Sequence, residues 1–188
     1  MTRPVPVQAL KHWLFLGALL PNKGVKWLVE AFTKCHADDP ELTLSIVGNG
    51  ELHGQLLHRI EELGVRGSVT FAGAVPPDEA LRLMREHDLL VHPSRSETFG
   101  MTVIEAVAAG MPVLVTRCGG PEETLAGIED AAGELVAVQE SDQSLVEGYR
   151  RLRDRFPHGL DLARAQRVLN DRYGYPAVAR IHHRAWFE

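Results

Sequence analysis

Short apolar runs and helical apolar stripes alternate along this chain. Trp13–Gly17, Leu42–Val47, Ser68–Phe71, Asp88–His92 and Pro112–Thr116 are brief, largely apolar and bounded by glycine, proline or polar residues. That pattern predicts buried strands, and Glu134–Val138 predicts a shorter sixth. Between them apolar residues recur three and four apart. Val25, Leu28, Val29 and Phe32 mark one helix; Leu52, Leu56, Ile60 and Leu63 mark the next, closed by Gly64. Pro77 opens another, with Leu81 and Met84 expected to face inward. Met101, Ile104, Val107 and Ala108 give a fourth, starting near Gly100. The last third reads as helical. Ser141 is expected to cap a helix carrying Leu145, Tyr149, Leu152 and Phe156. A second carries Leu162, Ala165, Val168 and Leu169, and Pro176 begins a third with Val178, Ile181 and Trp186. Residues 1–10 are read as a linker or tail and 11–188 as one domain.

Alternation of this kind implies an α/β fold, a parallel sheet of about six strands with helices on both faces. Ligands of such sheets bind at the carboxyl ends of the strands, near the switch point. The segments Gly17–Gly24, Gly48–Gly50, Gly73–Val75, Ser94–Gly100 and Arg117–Pro121 all follow predicted strands. They are therefore expected to line one edge of the sheet and to share one site.

Composition removes several classes. With 188 residues, 45% hydrophobic and 24% charged, the chain suits one globular domain with a sizeable core. A net charge of −5 gives no case for nucleic-acid binding. Arg150, Arg151, Arg153, Arg155, Arg164 and Arg167 enrich the C-terminal part, but Asp154 and Asp161 interleave with them. A solvated helical face is favoured there over a peripheral contact with anionic lipid at the inner membrane face. No apolar run approaches the roughly 20 residues of a membrane span, and no signal-peptide pattern opens the chain. Cys35 and Cys118 form no C-x-x-C pair, so a reducing, cytoplasmic setting is expected. The nine histidines do not cluster at metal-ligand spacing, and no protein-bound metal or cofactor is expected. His92, at the end of the fourth strand, is the one histidine near the expected site, and is read as a packed or supporting residue.

The chemistry concentrates in Ser96-Glu97-Thr98-Phe99-Gly100-Met101-Thr102-Val103-Ile104-Glu105-Ala106. Two carboxylates flank a Phe-Gly turn that follows an apolar strand and opens a helix. The helix start offers free N–H groups and a favourable dipole to an anion. Glu105 sits about 7–8 Å along the axis from that start. A carboxylate accepts two hydrogen bonds from a vicinal diol, which ribose and hexose both present. A sugar held at one end, a ribose at the other and phosphates between them is the leading arrangement.

At this point the chain resembles the C-terminal, donor-binding domain of retaining glycosyltransferases of the GT-B fold that carry an E-x-x-x-x-x-x-x-E signature. Gly17-Ala18-Leu19-Leu20-Pro21-Asn22-Lys23-Gly24 is similar to their G-R-L-x-x-x-K-G block. Ile46-Val47-Gly48-Asn49-Gly50, Val69-Thr70-Phe71-Ala72-Gly73, Ala109-Gly110-Met111-Pro112-Val113 and Gly119-Gly120-Pro121-Glu122-Glu123 resemble further blocks, in order. The resemblance implies a Rossmann-like, doubly wound sheet as one half of a GT-B fold, and hexose transfer from a nucleoside diphosphate sugar to a hydroxyl acceptor. It implies Lys23 and Glu97 as catalytic residues, with Gly17, Gly48, Gly73, Val75, Thr98, Phe99, Gly100 and Glu105 around the donor. It also implies an N-terminal acceptor domain as the missing partner, without which this chain is expected to be inactive.

Two positions depart from the pattern. Ala18 stands where the family usually has an arginine, and Arg95 or Arg117 is the expected substitute phosphate contact. Thr98 replaces a commoner glycine and narrows the sugar pocket. Other readings fit less well. Gly48-Asn49-Gly50 followed by Gly54 resembles a dinucleotide loop, but no acid ends the third strand to hold an adenosine ribose. No G-x-x-x-x-G-K-[ST] loop is present. A retaining glycosidase needs a closer carboxylate pair. A non-catalytic nucleotide-binding or scaffold domain is the alternative that Ala18 favours; an epimerase of the same architecture is disfavoured by the full signature.

Overall fold

The computed structural model describes residues 7–174. Six parallel strands form one sheet: β1 (His12–Leu16), β2 (Thr43–Val47), β3 (Val69–Gly73), β4 (Leu89–His92), β5 (Val113–Thr116) and β6 (Gly133–Val136). Their spatial order is β3-β2-β1-β4-β5-β6. The helices between them are α1 (Val25–Asp38), α2 (His53–Glu62), α3 (Pro77–Glu86), α4 (Met101–Ala108), α5 (Gly120–Thr124) and α6 (Glu129–Ala132). Two more follow, α7 (Gln143–Arg155) and α8 (Leu162–Tyr173). The chain winds outward from β1 to β3, then returns to β4 beside β1. This places the topological switch point between β1 and β4.

Both faces of the sheet are covered, and the strand alternation shows it. Trp13 and Phe15 join one buried cluster with Leu28, Phe32 and Leu152, while Leu14 joins the other with Val103, Val107 and Leu169. Leu89 and Val91 point to the first face and Leu90 to the second. Every residue of β4 and β5 is buried, as a central parallel strand requires.

Several local expectations need correction. Leu81 is 37% exposed and Met101 55%, and Ala108 is exposed too; the buried face of α4 is Val103, Ile104, Ala106 and Val107. In α3, which packs against β1 and α4, only Met84 is buried. Ser141 does not cap α7. Its hydroxyl donates to Gln139 Oε1, and the capping position falls to Asp142, whose carboxylate is drawn 2.7 Å from Lys34 Nζ on α1. The sixth strand begins a residue earlier than expected, at Gly133, and stops at Val136. Val7 and Leu10, read as tail, are buried in the core, and Tyr149 Oη donates to the Leu10 carbonyl at 3.0 Å. The expected helix from Pro176 lies outside the described residues.

Three of the C-terminal arginines make contacts across the fold. Arg150 pairs with Asp38 and Arg151 with Glu134, while Arg155 reaches Glu134 and the carbonyls of Asp130 and Gly159. Among the described residues no helix is long and apolar enough to cross a membrane.

Candidate functional site

The loops leaving the strands are stitched edge to edge. Gly17 N–H donates to the Val47 carbonyl at 3.0 Å, and Gly48 N–H to the Gly73 carbonyl at 2.8 Å. Gly48 has φ 139°, and a Cβ there would sit 1.9 Å from the Gly17 carbonyl oxygen. Only glycine allows these two loops to touch. At the switch point a cleft of ≈ 260 Å³ opens, lined by the end of β1 (Phe15, Leu16, Gly17, Ala18), by Lys23 and His92, and by Glu97 through Thr102.

Lys23 arrives on a single 3₁₀ turn, Pro21–Lys23, that ends in Gly24 at φ 67°. This turn is pressed against the loop after β4. Arg95 N–H donates to the Asn22 carbonyl at 2.8 Å, and a Cβ on Gly24 would lie 2.0 Å from the Pro93 carbonyl oxygen. The loop is held from its other side as well. Glu97 N–H donates to the Cys118 carbonyl at 2.9 Å, and Gly120 N–H to the Glu97 carbonyl at 2.8 Å.

The result is a close cluster of charge. Lys23 Nζ is 2.7 Å from Glu97 Oε2, with both side chains about one-fifth exposed. His92 Nε2, on a residue only 4% exposed, lies 3.4 Å from the same oxygen. Burial alone would raise the Glu97 carboxyl; the Lys23 hydrogen bond and charge, with His92 beside it, outweigh burial and hold it below its ordinary range. Burial lowers His92 to about 4 despite the opposing Glu97 charge, and Lys23 adds to the fall. At neutral pH Glu97 is therefore a carboxylate and His92 a neutral imidazole.

Behind Glu97, Gly100 caps α4 with φ 81° and offers no side chain to the first turn. Met101 and Thr102 open that helix and line the cleft; their N–H groups precede the first helical bonds, which Val103 and Ile104 make to the Gly100 carbonyl. An anion in the cleft therefore meets Lys23 and a helix N-terminus together.

The structure brings Gly17, Lys23, Glu97, Thr98, Phe99 and Gly100 around one cleft. Other expected site residues lie outside its lining. Gly48 follows β2 and Gly73 ends β3, beside this cleft's edge of the sheet, and Val75, like Leu16, packs against the second core cluster. Glu105 is on α4, partly buried; burial raises its carboxyl, and among the described residues it has no ion-pair partner. Arg95 pairs with Glu140, and Arg117 lies 3.8 Å from Glu122; neither lines the cleft. His92 is the cleft residue that the sequence pattern undervalued. Its place at the carboxyl end of a buried strand was the available signal. Among the described residues no cluster of three or more histidines, cysteines and acids is placed to hold a metal.

This geometry, a charged cleft at the switch point of a β3-β2-β1-β4-β5-β6 parallel sheet, is that of a Rossmann-like α/β fold. Residues 8–158 match the glycosyl transferases group 1 family, and the chain belongs to it. Mannosylfructose-phosphate synthase of Agrobacterium fabrum is 38% identical over 115 residues, covering 57% of this chain and 25% of that protein. Among solved structures, Anabaena HepE in complex with UDP and glucose superposes with a TM-score of 0.80 at 24% identity, over 95% of this chain and 49% of that one. The C-terminal domain of a glycosyl transferase group 1 protein, LpcC from Francisella tularensis, gives 0.69 at 21% identity, over 95% of this chain and 88% of that one. The chain thus spans a quarter to a half of the two longer proteins.

Proposed function

We propose that this chain is the donor-binding, C-terminal half of a retaining glycosyltransferase, moving a hexose from a nucleoside diphosphate sugar to a hydroxyl acceptor. The observation that carries the reading is the 2.7 Å pair between Lys23 and Glu97 at the mouth of α4. A cation, a carboxylate and a helix N-terminus share a space about the size of a sugar phosphate. Lys23 and the first turn of α4 neutralise the departing diphosphate. Glu97 orients the hydroxyls of the donor sugar and supports positive charge developing at the anomeric carbon. Glu105, free of a competing cation, holds the ribose hydroxyls. The Gly73–Val75 loop lies toward the base, and Phe99 and Gly100 present backbone amides to sugar and phosphate oxygens. No cofactor takes part.

Ala18 lines the cleft but supplies no charge. Arg95 and Arg117 stand outside the cleft lining, so within it Lys23 and the helix start carry the phosphate load. The C-terminal placement rests on the signature resemblance, and the Francisella domain of the same fold is C-terminal in its own protein. Acceptor contacts then belong to an N-terminal domain outside this chain, and the isolated chain binds donor without turning it over. UDP is the first probe, since the Anabaena neighbour was solved with it. Calorimetry with UDP and GDP should show binding to one of them. Lys23→Ala should weaken it by about 10- to 100-fold, the size of a lost charge-assisted hydrogen bond. No heat with either nucleotide, or Lys23→Ala binding as tightly as wild type, would refute the reading.

A further inference from the structure

We propose that His92 is a positioning residue for Glu97: its buried Nε2, 3.4 Å from Glu97 Oε2, takes over the carboxylate when a diphosphate draws Lys23 away. The inference rests on the donor-site reading above and deepens it. Three observations lead to it. Lys23 Nζ and His92 Nε2 address the same carboxylate oxygen, Oε2. The Nε2 atom is fully buried and has no hydrogen-bond partner among the described residues, which is costly unless a partner comes within reach. The two groups also differ in mounting. His92 is the last residue of β4, in register with Val115 of β5, whereas Lys23 is a long side chain on a one-turn segment.

A diphosphate placed in the cleft competes with Glu97 for the Lys23 ammonium. The carboxylate then loses its 2.7 Å partner just as it must point at the sugar. A closure of about 0.5 Å brings it to ordinary hydrogen-bond distance from His92 Nε2. In the neutral imidazole Nε2 carries the proton and donates, leaving Glu97 ionised with Oε1 free for a sugar hydroxyl. Glu97 and Lys23 are the charged groups that act on the ring, so the exchange needs no further titrating group.

The test compares UDP with UDP-glucose, and GDP with GDP-mannose, on wild type, His92→Leu and His92→Gln by calorimetry. The pair that wild type binds is the one followed. Leucine fills the site without a donor, while the glutamine amide can place an N–H near the Nε2 position. Far-UV circular dichroism and urea unfolding confirm that each variant folds. His92→Leu should lose about tenfold in affinity for the nucleotide sugar and less than twofold for the bare nucleotide, and His92→Gln should recover most of the loss. Equal losses for sugar and nucleotide, or an unchanged ratio in His92→Leu, would overturn the positioning role while the donor-site reading stands. Absence of binding to every probe by wild type would remove both.

Discussion

Gly24→Ala tests how the Lys23 turn is held. The residue has φ 67°, in the left-handed region, where an alanine costs about 1–2 kcal/mol. Its Cβ would also stand 2.0 Å from the Pro93 carbonyl oxygen and 2.9 Å from the carbonyl carbon. Backbone must move by more than an ångström to relieve that overlap, and overpacking of this kind costs about 1–3 kcal/mol more. The total is about 2–5 kcal/mol, a large part of a domain's stability. Gly64→Ala separates the two contributions. Gly64 has φ 71°, but nothing lies within 4 Å of its Cβ position, so only the conformational cost applies. Urea unfolding followed by circular dichroism measures both variants, with the difference read at equal slope. Gly24→Ala should be less stable than Gly64→Ala by about 1–3 kcal/mol, the overpacking share alone. Lys23 should also be displaced from Glu97, weakening nucleotide binding only in the Gly24 variant. Equal destabilisation with unchanged binding would mean that the turn does not depend on its contact with Pro93.

Two further outcomes follow from the site. Glu105→Ala should weaken ribonucleotide binding about tenfold and abolish discrimination against the 2′,3′-dideoxynucleotide; equal discrimination in wild type and variant would remove Glu105 from the ribose. Stability should fall as pH drops from 6.5 toward 4. His92 is held down to about 4, so the unfolded chain takes up a proton that the folded chain refuses; its contribution is full above 6.5 and falls by up to about 3 kcal/mol at pH 4. His87, lowered mainly by burial, acts in the same direction, and Glu97, also lowered, adds its loss only below 4.5. Urea titrations at pH 7.5 and 5 should show a smaller loss in His92→Gln than in wild type, and an identical loss would refute the assignment.

The strands were legible because a central parallel strand is buried on both faces, and unbroken apolar runs such as Leu89–Val91 are the sequence image of that burial. The loop segments were legible because glycine is needed where Gly48 meets Gly17 and where Gly24 meets Pro93. Helix faces were less secure. Periodicity tells which residues share a side, not whether anything packs against it, so Leu81, expected to face inward, is exposed, and Met101, in the same repeat as Ile104 and Val107, is exposed too. The pairing of Lys23 with Glu97 spans 74 positions and that of Arg95 with Glu140 spans 45. Contacts that distant follow from the winding of the sheet, and no local pattern encodes them.

The backbone of Glu97 forms a lone parallel bridge with Gly119, an outrigger to the β4–β5 edge. This fastens the acid to the frame of the molecule by its main chain. A single residue inserted between Pro93 and Ser96 would break that bridge and swing the carboxylate out of register. Loop length is therefore the sensitive variable here, whereas Thr98, Phe99 and Met101 line the opening beyond the bridged residue, where a change of side chain leaves the spacing intact.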